Sequence, residues 1–117
     1  MNAGFPKQVR LTDAKDFRQV FAGAKRIAGA HLVLLYRCNE LDFSRLGLAI
    51  SKKHLKTAVK RNSAKRLVRE YFRLHQDEIK GLDIIVLSRA GLESACKEEI
   101  RQALERLWWK LNKQCAT

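Results

Sequence analysis

The sequence predicts a single α+β domain over residues 1–117, built as a two-layer sandwich in which helices pack on a small central sheet. Apolar residues recur at helical spacing in three segments, at about 12–21, within 52–75 and at about 95–112. Three short apolar or alternating runs, at 31–38, 45–51 and 82–88, are bounded by polar residues or glycine, as strands are. The predicted order is therefore α-β-β-α-β-α, and 117 residues suit one domain.

The first helix is predicted to begin at Thr12 as its N-cap and to end before Gly23. Its apolar residues fall on one helical face and include Phe17 and Phe21. Two aromatic rings on such a face have two explanations, which are packing in the core and a platform on which nucleic-acid bases stack.

Residues 24–30 are predicted to be a connection of small residues, and 31–38 a strand rich in Val, Leu and Tyr. The 45–51 strand alternates, with Gly47, Ala49 and Ser51 on one face. A face of small residues admits a close neighbour, either a packed helix or a nucleic-acid strand. If strands 45–51 and 82–88 are parallel, the helix between them makes a βαβ unit, whose crossover is right-handed by default.

The last helix is predicted at about 95–112, with Ser94 as a candidate cap. Its apolar residues form one stripe, so the adjacent Trp108 and Trp109 cannot both face the core. The stripe consists of Ile100, Ala103, Leu104, Leu107 and Leu111.

The most informative stretch is residues 52–73, in which nine of 22 residues are Lys or Arg and only Glu70 is acidic. In a helix, Arg61, Lys65, Arg69 and Arg73 form one row at intervals of four, with Arg66 beside it. Most of the remaining surface is an apolar stripe predicted to face the core: Val59, Ala64, Leu67, Val68, Tyr71 and Leu74.

A solvated basic face is the simpler explanation of that row, but a helix kept for solubility interleaves Glu with Lys. Like charges four residues apart repel one another, so a row of one sign favours a partner that supplies the opposite charge. The phosphates of a nucleic-acid backbone do so, and arginine binds them in bidentate fashion.

Net charge, hydropathy and cysteine spacing limit the kinds of partner and of metal or disulfide site that the chain can have. The formal net charge of +12 indicates nucleic acid first and an anionic membrane second. No apolar run of 18 residues and no signal-peptide core is found, so we expect a cytoplasmic protein without a membrane partner. The widely spaced Cys38, Cys96 and Cys115 indicate reduced thiols, the first two packed, rather than disulfides or a zinc site.

The residues give no complete catalytic set. Carboxylates are scattered, the three histidines share no spacing, and glycine-rich phosphate-binding motifs are absent from the sequence. We therefore expect no catalytic residue and no dedicated metal site in the chain itself.

Several motifs together resemble the protein component of bacterial ribonuclease P over nearly the whole chain. They are DFRQVF at 16–21, RLGLAISKK at 45–53, KRNSAKRLVRE at 60–70, LDIIVLSRAG at 82–91 and ALERLW at 103–108. The resemblance implies a monomeric protein subunit of a ribonucleoprotein endonuclease that removes the 5′ leader from precursor tRNA. It also implies that a catalytic RNA and its Mg²⁺ ions carry the chemistry, and that the βαβ crossover is left-handed.

The basic stretch and the resemblance together assign two sets of residues. The leader-binding cleft would be lined by Phe17, Phe21 and Tyr36. Residue 63 departs from the family, since Ser63 stands where a second arginine is usual, so we expect one RNA contact to be missing or shortened there. The RNA-binding residues would be Lys52, Lys53, Lys60, Arg61, Asn62, Lys65, Arg66, Arg69 and Arg73.

Three other classes of protein remain as alternatives. A general RNA-binding protein of the ribosomal type would share the basic helix but have no processing role. A self-sufficient nuclease would cleave without another RNA. A helix-turn-helix DNA-binding protein is disfavoured because strands, not a short helix, flank the basic helix.

Overall fold

A computed structural model describes residues 14–115, with side chains described from residue 17 onward. The predicted cap at Thr12 lies outside these residues. Seven regular elements and a short 3₁₀ turn at Leu92–Ser94 follow one another along the chain. They are α1 Ala14–Gly23, β1 Lys25–Ala28, β2 Leu32–Cys38, β3 Arg45–Ala49, α2 Ala58–His75, β4 Leu82–Ser88 and α3 Lys97–Cys115.

The four strands form one mixed sheet in the order β1-β2-β4-β3. β2 pairs antiparallel with both β1 and β4, whereas β3 pairs parallel with β4. The pairing confirms the βαβ unit made by β3, α2 and β4. The hand of its crossover stays a prediction.

The connection predicted at 24–30 is wrong, because it contains strand β1. Ile27 is only 4% exposed and lies opposite Leu34 of β2, so one buried side chain and a pairing partner suffice to form the strand. Its other residues are exposed, among them Lys25 and Arg26, and charged residues are typical of an edge strand. Tertiary pairing thus overrides a weak local pattern.

The two faces of the sheet are covered differently. Helices α2 and α3 pack on the face that carries Leu34, Leu46 and Ile84, and this layer holds the larger core. The smaller α1 lies on the opposite face, where Val20 packs against Ile85. The α+β class and the sheet-and-helix layers are confirmed, and α1 adds partial cover on the second face.

Helix α2 begins after Thr57, whose side-chain oxygen accepts a hydrogen bond from the backbone N–H of Lys60 at 3.3 Å. The predicted stripe was partly wrong. Val59 and Leu74 are 79% and 61% exposed, while Phe72, which the stripe left out, is 1% exposed. The buried row is centred on Ala64, Val68 and Phe72, because the sheet and α3 select which side of the helix faces inward.

Helix α3 begins at Lys97, not after a cap at Ser94, which belongs to the 3₁₀ turn. Glu99 Oε1 instead accepts a hydrogen bond from the Cys96 backbone N–H at 3.0 Å, as the acidic residue of a capping box does. The predicted stripe is buried, and Trp108 is 6% exposed while Trp109 is 60% exposed. All three thiols are free and exposed, so the expected packing of Cys38 and Cys96 was wrong. None of the described helices is long and apolar enough to span a bilayer.

Candidate nucleic-acid interface

The middle of α2 presents cations to solvent. Asn62, Arg66 and Arg69 are exposed, and Lys65 is half-buried beside them. They lie away from the buried row, because side chains one or two positions apart on a helix point in different directions. In the part of the chain that the structure describes, Arg66 and Arg69 form no ion pair, so their charge is available to a partner. We call residues 62, 65, 66 and 69 the α2 surface.

The two ends of the basic row are engaged within the protein. Arg61 Nη1 donates to the carbonyl oxygens of Leu55 and Lys56, each at 2.9 Å, and so fixes the loop that leads into the helix. Arg73 pairs with Glu70, with Nε to Oε2 at 3.1 Å, and this contact lowers the pKa of Glu70. The expectation of one uniform row is therefore corrected, since its net positive charge is concentrated in the middle.

The loop after β3 carries two more of the predicted cations. Lys52 and Lys53 are both exposed. Ser88, at the end of β4, anchors this loop, since its Oγ accepts from the Ser51 N–H and contacts His54 Nδ1, each at 2.8 Å. The loop is thus held at the ends of β3 and β4, and Lys52 and Lys53 lie in the segment that leads into α2.

Ser63 is half-buried and lines a groove of about 600 Å³ between α2 and the start of α3. Asn62, Arg66 and Lys97 lie on the same groove. The predicted RNA-binding residue Lys60 is exposed near the start of α2 and lines a neighbouring cavity. A short side chain at position 63 therefore leaves space next to the cations.

A second surface lies where α1 crosses the opposite face of the sheet. Phe17 is half-buried against the Val20–Ile85 cluster, and Phe21 is 49% exposed beside it. Leu35 and Ala49 belong to the same cluster, so the small-residue face of β3 does point this way. We call this surface the α1 cleft.

Arg37 fixes the position of α1 on the sheet. Its Nη1 donates to the carbonyl oxygen of Gln19 at 2.8 Å. The next strand carries Asp83 opposite Arg37, and Arg45 follows on β3, so a polar row ends the cleft. No sequence pattern pointed to these three residues, because their alignment depends on the pairing of distant strands.

The assignment of Tyr36 to the cleft is wrong. Tyr36 is 4% exposed and belongs to the core under α2 and α3, where its hydroxyl donates to Gln114 Oε1. Burial raises the pKa of Tyr36. Successive strand residues point to opposite faces, so its neighbour Leu35 takes the place in the cleft. Residues 32–36 are all apolar or aromatic, so their sequence does not show which of them face α1. The polar Arg37 is the one available signal, because alternate strand residues share a face and Leu35 therefore lies on the same side as Arg37.

Within residues 14–115, no three His, Cys, Asp or Glu side chains lie close enough together to hold a metal ion. The lack of a protein metal site over the whole chain stays a prediction. The described surface offers charge, hydrogen-bond donors and aromatic rings, which are groups that bind an anionic chain.

Fold and surface together define a small basic α+β protein with one cationic helix surface and one apolar cleft on the opposite side of its sheet. The chain belongs to the ribonuclease P protein family, since the model of the family described as Ribonuclease P matches residues 5–112.

Relatives with known names and structures agree with this placement. The ribonuclease P protein component of Nitrosococcus oceani is 43% identical over 113 residues, which is 97% of this chain and 95% of that protein. That of Thioalkalivibrio sulfidiphilus is 43% identical over 116 residues, 99% and 97% of the two chains. The solved RNase P protein of Staphylococcus aureus matches with a TM-score of 0.81 at 33% identity, covering 88% of this chain and 94% of that one. For the Thermotoga maritima protein the TM-score is 0.75 at 36% identity, covering 84% and 93%.

Proposed function

We propose that this chain is the protein subunit of ribonuclease P, the ribonucleoprotein that removes the 5′ leader from precursor tRNA. Membership of the family supports the assignment. The observation that carries the mechanism is the α2 surface, where arginines free of ion pairs in the described structure face solvent while the other side of the same helix is core.

The α2 surface docks folded RNA. Its arginines and Lys65 contact backbone phosphates, which sets the position of the protein without reading sequence. Lys52 and Lys53 extend the charge to the end of β3. Ser63 provides no charge, so the contact there is shorter than an arginine would make.

The α1 cleft holds the single-stranded leader. Phe21 offers a half-exposed ring, and Phe17 and Leu35 form the apolar floor beside it. Base–aromatic stacking stabilises a bound strand by roughly 1–3 kcal/mol per base and tolerates any sequence, which suits leaders that differ between precursors.

The partner RNA and the Mg²⁺ ions it holds carry out phosphodiester hydrolysis, and the chain contributes no catalytic residue. By binding the leader and neutralising phosphates, the protein raises the affinity for substrate and for the metal ions near the scissile bond. It acts in the cytoplasm as one copy in the complex.

Reconstitution tests this proposal. A bacterial ribonuclease P RNA is incubated with precursor tRNA at low Mg²⁺, with and without the protein, and leader release is measured. We expect cleavage to need the catalytic RNA and to become faster with the protein, and we expect the protein to raise the affinity for precursor tRNA more than that for mature tRNA, which has no leader. Unchanged cleavage together with tight but leader-independent binding would favour a general RNA-binding protein. Cleavage by the protein with Mg²⁺ alone would instead identify a self-sufficient nuclease.

A further inference from the structure

A second basic pocket lies away from α2, between α3 and the loop that joins β1 to β2. It has a volume of about 520 Å³, and its cationic or titratable side chains are His31, Arg89, Arg106 and Lys110. None of its described lining residues is acidic, and Arg106 and Lys110 are exposed. We call it the α3 pocket.

Small residues create the space. Six of the other lining residues are Gly or Ala. A Cβ at Gly29 would lie 3.0 Å from Leu107 Cδ2, so glycine lets the loop approach α3 this closely without displacing Leu107. Gly91 has a φ of 99°, the left-handed region that favours glycine, and this turn forms the far wall.

The loop is also held in an unfavourable conformation. His31 has a φ of 68°, which is uncommon for a residue with a side chain. Arg89 fixes this geometry, since its backbone N–H donates to the carbonyl oxygen of His31 at 3.1 Å and its Nη1 to that of Gly29 at 2.8 Å. Strained residues held by their surroundings cluster at binding sites.

Glu99, an acidic residue of α3 near His31, is already engaged. Glu99 accepts the Cys96 N–H, and this contact, more than the nearby His31, lowers its pKa. In the described chain Arg106 and Lys110 form no ion pair, so an anion entering the pocket meets uncompensated charge.

The size and lining of the pocket indicate its ligand. Its volume is within the roughly 300–1,000 Å³ of small-molecule sites, larger than a lone phosphate needs. Arg and Lys bind phosphate oxygens, whereas the described lining has no Phe, Tyr or Trp on which a base would stack. Such a site binds the phosphate without specificity for the base, as contacts to an RNA backbone do.

We propose that the α3 pocket is a second RNA-docking site, which takes a phosphate-bearing nucleotide of the RNA backbone through Arg106 and Lys110. The inference rests on the proposed function and adds a site to it. Helix α3 lies against β1 and β2, while α2 lies against β3 at the other edge of the sheet. Since the molecule measures 36 × 30 × 27 Å, one folded RNA can contact both edges.

The test compares two variants that each lose two positive charges. Arg106→Ala/Lys110→Ala removes the pocket cations and leaves Arg89 in place to hold the loop. Lys80→Ala/Lys113→Ala removes exposed cations that do not line the pocket. Binding to a bacterial ribonuclease P RNA is measured over a range of salt concentrations. We expect the pocket variant alone to lose about fivefold or more in affinity and to flatten the salt slope by roughly 1.4–1.8, the value for two phosphate contacts.

Equal slopes for the two variants would overturn the inference, because only total charge would then matter. Arg106→Gln/Lys110→Gln, which keeps two polar side chains but removes their charge, should reproduce the effect with an unchanged Tm. Titration with adenosine monophosphate, followed by the His31 NMR signal, separates a free nucleotide from a strand. Saturation by the nucleotide with an unchanged RNA slope would also refute the RNA assignment.

The failure of the inference is distinguishable from that of the proposed function. If Arg66→Ala/Arg69→Ala weakens RNA binding and the pocket variant does not, only the second site is lost. If the wild-type protein does not bind this RNA at all, the proposed function fails as well.

Discussion

Arg45 and Asp83 form a bidentate ion pair across the parallel strands β3 and β4, with Nε to Oδ1 at 2.8 Å and Nη2 to Oδ2 at 2.7 Å. Asp83 is 5% exposed and also accepts a hydrogen bond from Asn39 Nδ2 at 2.9 Å. The pair joins the edge strand to the sheet at the end of the α1 cleft. Removing the Asp83 carboxylate takes this counter-charge from the partly buried Arg45 and a hydrogen-bond acceptor from Asn39.

We therefore predict that Asp83→Ala lowers the free energy of unfolding by about 3 kcal/mol, since breaking a buried ion pair is costly. Denaturant unfolding followed by circular dichroism measures the change. Asp42→Ala, at an exposed loop position, serves as the control and should change stability by less than about 0.5 kcal/mol. Equal effects of the two substitutions would mean that the pair does not stabilise the fold.

Arg66→Ala/Arg69→Ala tests the α2 surface. Both side chains are exposed and make no ion pair in the described structure, so the Tm should stay nearly unchanged. Affinity for ribonuclease P RNA should fall, and the slope of log K against log salt should flatten by roughly 1.4–1.8. Lys80→Ala/Lys113→Ala is the control of equal charge. An unaltered slope in the arginine variant would exclude this helix face from the interface.

Phe21→Ala tests the α1 cleft. Because the ring is 49% exposed, its loss should change stability little while removing a stacking surface. Affinity for precursor tRNA with a leader should fall about fivefold or more, from roughly 1–3 kcal/mol of stacking, and that for mature tRNA should not. Trp109→Ala, which removes a ring that is 60% exposed on α3, is the matched control. Equal losses for both RNAs would contradict a leader site at Phe21.

Phe17→Ala separates binding from packing at the inner edge of the cleft. Phe17 packs against the Val20–Ile85 cluster, so some stability is lost with it. If it also contacts the leader, affinity for precursor should fall more than that for mature tRNA, measured at a temperature where the variant is folded. Loss of stability with equal affinities would leave Phe17 as a core residue only.

The pH dependence of stability tests the burial of Tyr36 and Tyr71. Burial is the first cause of the raised pKa of both Tyr36 and Tyr71, so the folded state holds these protons more tightly than the unfolded chain. Their contribution is complete below the unfolded pKa of about 10 and is lost as pH rises through the folded values. Between pH 8 and 11, wild-type stability should therefore fall more steeply than that of Tyr36→Phe/Tyr71→Phe. Parallel curves would argue that neither hydroxyl titrates abnormally.

Tyr36→Phe alone should leave leader affinity unchanged, because its ring faces the α3 core.

Periodicity and apolar runs predicted the main helices and three of the four strands, because each buries one side of its own length. Strand β1 was missed, since a four-residue edge strand has a single buried side chain and depends on β2 for its hydrogen bonds. Phe72 is buried and Val59 is exposed, contrary to the predicted stripe. The elements that pack against α2, and not its own sequence pattern, select the side of the helix that faces the core.

The candidate site was likewise predicted in part from the sequence and decided in part by the tertiary structure. The sequence placed the cations of α2 on the solvent side, because charge segregates from the core along any amphipathic helix. It did not show that Glu70 partly compensates Arg73, or that Arg61 holds a loop, since those contacts depend on side-chain direction. It also assigned Tyr36 to the wrong face of the sheet, because a continuous run of apolar residues does not show which side chains point to which face.

By itself the sequence determined the class of fold, the basic helix and the kind of partner its charge requires, since these follow from local periodicity and composition. Only the tertiary structure decided which face of β2 meets α1, which arginines remain unpaired in the described chain and where the α3 pocket forms. Those features arise when segments distant in sequence come together, and no local pattern encodes the side on which they meet.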